Sequence, residues 1–189
     1  MKTSSRFALR FFQLPANWLL VIVLCTQVAV TAQVHYSGNF ENNLLDSSWQ
    51  TVSGKWRIAD VQDLRIAPAE NGRQYVLCSD SAGIIRLFVE LPDTVRSGQL
   101  KLRFSYYTYA AGAAAKVETE FHRKDLKDGI KGKPWMSALP VKGRWVVFEK
   151  LITIPSDSDI LWVSFFNNAT LRSKVKRVCF DALSVSVIN

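Results

Sequence analysis

The feature that most constrains the fold is a strict alternation of side-chain character around residue 103. From residue 99 to 107, apolar side chains and one tyrosine occupy the even positions, and mainly polar ones the odd positions. Successive side chains of a β-strand point to opposite faces, so this pattern predicts a strand with one face buried. The same period recurs between clusters of Gly, Pro, Asn, Asp and Ser, and no helical period of useful length follows residue 33. The domain is therefore predicted to be all-β.

About eight strands are expected, separated by turn signals every 8 to 12 residues or so. This spacing predicts a two-sheet antiparallel β-sandwich of jelly-roll type. The polar, glycine-punctuated segment 124–133 is predicted to be a loop, with Trp135 just after it. The segments that give strand patterns are 54–58, 64–66, 74–78, 84–91, 99–107, 116–122, 144–154, 160–166, 178–180 and 183–187.

The amino terminus has the pattern of an export signal. Lys2, Arg6 and Arg10 precede an apolar run that starts at Trp18, and the small residues of Val30-Thr31-Ala32 suit a signal peptidase. We expect a signal helix over 1–32, cleavage before Gln33, a single domain over 33–189, and a secreted product, extracellular or periplasmic, without stable membrane insertion. An uncleaved signal anchor is the alternative, although the run is shorter than the roughly 20 apolar residues of a spanning helix.

The charge of the chain favours some partners over others. The signal contains three of the 24 basic residues and none of the 16 acidic ones, so the net charge falls from +8 to +5 on cleavage. An exported protein rarely meets nucleic acid, and no nucleic-acid partner is expected. An acidic glycan or cell surface is the more natural acidic partner, and a basic face that is merely solvated is the simpler alternative.

Two cysteines remain after the signal, Cys78 and Cys179, about 100 residues apart. An even number of cysteines in an exported protein indicates a disulfide. Each cysteine also lies in an apolar alternating segment, which is equally consistent with two buried free thiols. Both readings stay open on the sequence alone.

The order of several short motifs resembles the galactose-binding-like jelly roll of many carbohydrate-binding modules. The matching pieces are Gly38-Asn39-Phe40-Glu41 with Trp49, then Trp56-Arg57-Ile58, Leu102 to Tyr106, Trp145 to Leu151, and Phe180 to Val185. This resemblance covers nearly all of 33–189 and implies carbohydrate binding. Extracellular MAM-type adhesion domains look similar in the same places and imply protein–protein adhesion instead, but their four cysteines are absent.

The resemblance also implies a structural calcium that joins the first and last strands. The matching acids are Glu41 and Asp181. Calcium takes six to eight oxygens or so, and therefore needs backbone carbonyls in addition to two carboxylates. A second acid often follows the closing aspartate in such modules, but Ala182 stands there. The alternative is that both carboxylates bind turn or backbone amides.

Sugars are bound by aromatic faces and by planar polar side chains. If Leu102, Phe104 and Tyr106 point inward, Arg103, Tyr107 and Tyr109 share the outer face. The hypothesis adds residues of the following strand, taken to be a neighbour, and one residue from the loop. The predicted ligand-binding set is Arg103, Tyr107, Tyr109, Glu120, His122 and Trp135.

The predicted function is therefore a secreted, non-catalytic module that binds a polysaccharide or glycoconjugate. An adhesive or structural protein–protein module is the alternative. A polysaccharide lyase is the enzymatic alternative, because Arg103, Tyr107 and His122 resemble a set that neutralises a uronate and moves a proton. No Ser-His-Asp order, histidine cluster, Cys-x-x-Cys or phosphate loop supports another enzyme class.

Overall fold

The structure is a computed structural model of the 189-residue chain. It describes residues 33–38, 40–41, 45–66, 72–80, 82–92, 95, 98–108, 115–125, 130–140, 143–168 and 177–188. All of them belong to one compact unit, Thr31–Asn189. Within these ranges, no helix has the length and apolar character needed to cross a bilayer. The predicted signal 1–32 lies outside the described residues.

Alternating segments form most of the described chain, as eleven strands and one short helix. The strands are β1 Gln33–Gly38, β2 Trp49–Ser53, β3 Trp56–Asp60, β4 Gln74–Cys78, β5 Ala82–Glu90, β6 Gly98–Thr108, β7 Ala115–His122, β8 Ile130–Leu139, β9 Val146–Ile154, β10 Ile160–Asn168 and β11 Val178–Ile188. The helix, α1, is Val61–Leu64.

These strands form two antiparallel sheets. The first sheet has the order β3-β4-β11-β6-β9, with β1 also paired to β11, and the second has the order β2-β5-β10-β7-β8. Every strand pair is antiparallel. The prediction of an all-β, two-sheet antiparallel sandwich is confirmed.

The core lies between the two sheets and is centred on aromatic rings. Phe104 on β6 and Phe180 on β11 come from the first sheet, and Phe165 on β10 comes from the second. The ring centroid of Phe165 lies 5.1 Å from that of Phe104 and 4.4 Å from that of Phe180. All three rings are at most 1% exposed. The alternation in β6 is therefore confirmed, with the even residues from Leu100 to Tyr106 in the core.

A second group of aromatic contacts joins the sheets near the start of the domain. Trp49 of β2 donates its indole N–H to the hydroxyl of Tyr36 on β1 at 2.6 Å, and its ring packs on Phe40 and Phe165. Burial is the main cause that raises the pKa of Tyr36 to about 12, assisted by the carboxylate of Asp46. Tyr36 therefore stays a neutral partner for Trp49 at physiological pH.

Two local predictions were wrong. Segment 64–66 is not a strand, because Asp60 accepts from the amide of Gln62 and Asp63 accepts from the amide of Asp60, which caps the short helix α1. Segment 124–133 is not a loop throughout, because β8 begins at Ile130 and pairs with β7. Strands β1, β2 and β8 were not anticipated.

Of the two readings of Cys78 and Cys179 that the sequence left open, the structure shows the second and not the disulfide: both thiols are free and buried. Strands β4 and β11 are neighbours, but Cys78 lies opposite Val178 and Cys179 lies opposite Leu77. This one-residue offset places Cys78 in the core and Cys179 on the outer side of the first sheet. Burial raises the pKa of both thiols.

We therefore predict that both cysteines are alkylated by iodoacetamide in denaturant without prior reduction, and that neither reacts at an appreciable rate in the native protein. Burial keeps each thiol protonated and out of reach of the reagent. Peptide mass spectrometry of the unreduced, alkylated protein locates the modified residues. A Cys78–Cys179 linked peptide in that digest would contradict the fold's register.

The central rings give a stability prediction. Phe180→Ala is expected to lower the free energy of unfolding by about 3 to 5 kcal/mol, because it opens a cavity among Phe104, Phe165 and Trp56. Phe166→Ala, the same change at a half-exposed outer position, is the matched control and should cost about 1 to 2 kcal/mol. Urea unfolding measures both, and equal losses would contradict this account of the core.

Candidate functional site

Two solvent-facing surfaces remain once the core is assigned. The first-sheet face is the outer side of the first sheet and carries the odd residues of β6, from Lys101 to Tyr107. The second-sheet face is the outer side of the second sheet and carries the even residues of β5, β7 and β10. The two faces lie on opposite sides of the core.

The first-sheet face is partly covered by its own apolar cluster. Tyr75, Leu77 and Cys179 are buried there, and Tyr107 and Trp145 pack against them. The rings of Tyr75 and Tyr107 each lie 5.7 Å from the ring of Trp145 in edge-on geometry. These aromatic rings contact one another, so Tyr107 is committed to packing rather than standing free above the sheet.

The predicted ligand-binding set is not brought together. Arg103 and Tyr107 lie on β6 in the first sheet, whereas Glu120 and His122 lie on β7 in the second. Strands β6 and β7 follow each other in the chain but belong to different sheets, so their outward side chains point away from each other. Tyr109 lies outside the described residues.

The second-sheet face is organised around Trp162, the third residue of the central strand β10. The imidazole of His122 stacks on its indole with ring centroids 3.7 Å apart. The guanidinium carbon of Arg86 lies 4.5 Å from the indole centroid, and Phe88 contacts it edge-on at 5.3 Å. Cross-strand pairing of β5, β10 and β7 places these groups, since Phe88 and Glu120 both lie opposite Trp162.

Charged groups surround this aromatic centre. The ammonium of Lys116 lies 4.1 Å from the ring centroid of Phe166. Glu118 lies opposite Ser164, and Glu120 approaches Nε2 of His122 at 3.5 Å, an ion pair that forms only when the imidazole is protonated. A guanidinium, an ammonium and two carboxylates thus share one surface with the covered Trp162 ring.

Two ring nitrogens at this centre have no hydrogen-bond partner. They are Nε1 of Trp162 and Nε2 of His122, and both are buried. Neither nitrogen bonds the other ring, so the two rings contact each other by stacking alone. His122 is 7% exposed, so its imidazole supports the Trp162 ring and is largely shielded from solvent.

Trp135 is not on a loop and not on either outer face. It lies in β8, partly buried against the core, with its ring 5.8 Å from that of Phe148 on β9. Lys150 of β9 lies above the Trp135 ring at 5.8 Å. Trp135 therefore closes the gap between the sheets at the β8–β9 edge, away from His122.

The two predicted calcium ligands both bind backbone amides. Oε1 of Glu41 accepts from the amides of Arg73 and Gln74 at 2.7 and 3.1 Å. Oδ1 of Asp181 accepts from the amide of Ala182 at 2.7 Å. In the described ranges, no group of three His, Cys, Asp or Glu side chains is placed to hold a metal. Calcium at Glu41 and Asp181 stays a prediction, and these contacts are those of its alternative.

Sequence reasoning missed the centre of the second-sheet face. Segment 160–166 is apolar at both parities, so it predicts a central strand with Trp162 buried, whereas the structure leaves Trp162 half-buried on the outer face. One signal was present: Arg86 and Ser164 are the polar outward positions of β5 and β10, and their parity assigns Phe88 and Trp162 to the same side. That signal needed the pairing of the two strands, which the sequence does not supply.

No family model and no curated protein matches the sequence, but solved structures share its fold. The enzymatically active domain of bacteriophage CBA120 tailspike protein 4 aligns with a TM-score of 0.64 and 9% identity, over 80% of this chain and 21% of that one. The CBM22-1 xylan-binding domain of Paenibacillus barcinonensis Xyn10C aligns with a TM-score of 0.57 and 15% identity, over 85% of this chain and 98% of that one. The C-terminal family 22 carbohydrate-binding module of Clostridium thermocellum Xyn10B aligns with a TM-score of 0.55 and 14% identity, over 82% of this chain and 95% of that one. The chain therefore has the jelly-roll fold of carbohydrate-binding modules.

Proposed function

We propose that this domain binds a polysaccharide or glycoconjugate, without catalysis, on its second-sheet face. The observation that carries the proposal is the group of charged side chains around the half-buried Trp162, with Arg86 and His122 against its ring and Glu120 across the strand pair. Because the Trp162 ring is already covered by these two residues, the sugar hydroxyls are expected to bind Arg86, Glu118 and Glu120 through charge-assisted hydrogen bonds.

Rigidity of the site supports binding to an extended chain. The contributing residues lie on β5, β7 and β10, which are paired along most of their length. Side chains on paired strands are held in place before the ligand arrives, so less conformational entropy is lost on binding. The likeness in fold to carbohydrate-binding modules supports the same proposal. Export through the signal at 1–32, to an extracellular or periplasmic location, is part of it.

The arrangement of carboxylates and basic groups favours binding over catalysis. Glu118 and Glu120 project from the same face of one strand, so they cannot flank a glycosidic bond from opposite sides. The lyase set is separated as well, because Arg103 and Tyr107 lie on the first sheet and His122 on the second. A non-catalytic module is the function that these positions support best.

The proposal is tested by affinity electrophoresis of the purified protein through gels that contain neutral or acidic polysaccharides, with a glycan array alongside. At least one polysaccharide is expected to retard the protein, and the free polymer should compete the effect away. A flat response over the whole panel would end the proposal.

A matched pair of variants locates the surface. Glu118→Ala removes a carboxylate from the second-sheet face, and Glu149→Ala removes one from β9 on the first-sheet face, where it pairs with Lys101 at 2.9 Å. Glu118→Ala should weaken binding to the retarding polysaccharide about tenfold, the worth of a hydrogen bond to a charged group. Glu149→Ala should leave binding unchanged, and the opposite result would move the site to the first-sheet face.

A further inference from the structure

Arg86 on the second-sheet face is a half-buried cation without a counter-ion. Its Nε donates to Oγ of Ser164 at 2.9 Å, and its guanidinium lies over the Trp162 ring. No carboxylate of the described residues pairs with it, although Arg57 and Arg123 elsewhere each have an aspartate partner. The two terminal nitrogens of Arg86 are therefore left without a described partner.

These contacts fix the guanidinium before any ligand arrives. Ser164 is 2% exposed and lies opposite Arg86 in the β5–β10 pair, so the hydrogen bond to Nε anchors one edge of the group. The Trp162 ring supports its flat side. A planar guanidinium held in this way presents a rigid fork of N–H donors, which matches the two oxygens of a carboxylate or sulfate.

The acids on the same face leave room for an anion at Arg86. Glu120 is near His122, and Glu118 lies two strands from Arg86, about 10 Å between backbones. That separation is close to the Debye length of about 10 Å at 0.1 M salt, so salt weakens the repulsion from Glu118. Lys116, two residues from Glu118 and without an ion-pair partner of its own among the described residues, offsets it further.

We propose that the polysaccharide bound on this face carries acidic sugars, and that Arg86 binds their carboxylate or sulfate group while Glu118 and Glu120 bind hydroxyls. This inference rests on the proposed function of the same face. It adds a ligand class, an anionic glycan, and it assigns the selectivity for the anion to one residue.

Two matched pairs of polymers test the ligand class with the full-length protein. Polygalacturonate is compared with its methyl ester for the carboxylate, and dextran sulfate with dextran for the sulfate. The acidic member of at least one pair is expected to bind about tenfold or more tightly than its neutral partner, the effect of a charge-assisted hydrogen bond. Equal binding within both pairs would overturn the inference, while neutral binding alone would leave the proposed function standing. Absence of binding to every polysaccharide would overturn both.

Variants of Arg86 test the residue. Arg86→Gln should abolish the preference for the acidic polymer and keep any binding of the neutral one, and Arg86→Lys should restore only part of it, since the charge returns without the fork. Arg57→Gln on β3 removes the same charge from the first sheet. An equal loss in Arg57→Gln would show attraction to net charge alone and overturn the assignment. An unchanged preference for the acidic polymer in Arg86→Gln would also overturn the assignment. If Arg86→Gln fails to fold, the comparison of acidic and neutral polymers with the unsubstituted protein decides the ligand class.

Discussion

The packing of Phe104, Phe165 and Phe180 between the sheets is the contact on which the rest of the structure depends. Ring centroids 4.4 and 5.1 Å apart hold the two sheets face to face. Once these rings are inside, alternation determines the direction of the other side chains on β6 and β10. On β11, a register shift between Asp181 and Ser184 changes the parity, so Leu183 faces the core as Phe180 does. Arg103 is thereby assigned to one outer surface and Trp162 to the other, and a one-residue shift in either strand would exchange core and surface.

The two outer faces differ in what their aromatic rings contact. On the first-sheet face, Trp145 lies between Tyr75 and Tyr107 and completes a small apolar cluster. On the second-sheet face, the rings of Trp162 and Phe166 contact the cations Arg86 and Lys116, and those cations lack carboxylate partners among the described residues. The rings of the first cluster contact one another, whereas the cations on the second-sheet face contact rings and a hydroxyl but no carboxylate of the described residues. This difference is the physical basis for placing the site on the second sheet.

Local periodicity was enough to predict the sandwich, because the alternation of apolar and polar residues in a strand such as β6 shows which of its sides is buried. It was not enough to predict the site. Alternation gives the side of a residue within its strand but not the sheet to which the strand belongs, so β6 and β7 were taken as neighbours when they are not. The sequence could not decide between a disulfide and two free thiols at Cys78 and Cys179 for a related reason, since a one-residue offset between paired strands cannot be read from the sequence. The outward position of Trp162 was missed because odd and even positions of β10 are both mainly apolar, so the sequence does not show which side chains face the core.

Ligand binding is proposed to occur on the second-sheet face. Hydroxyl-radical footprinting with mass spectrometry, in the presence and absence of a polysaccharide that retards the protein, tests it residue by residue. Oxidation is expected to fall at Met136, an exposed residue of β8 that lies opposite Glu118, and at Phe88 and Trp162. It should stay constant at Tyr107 and Trp145 on the first-sheet face. Protection of Tyr107 and Trp145, with Met136 and Trp162 unchanged, would contradict the claim.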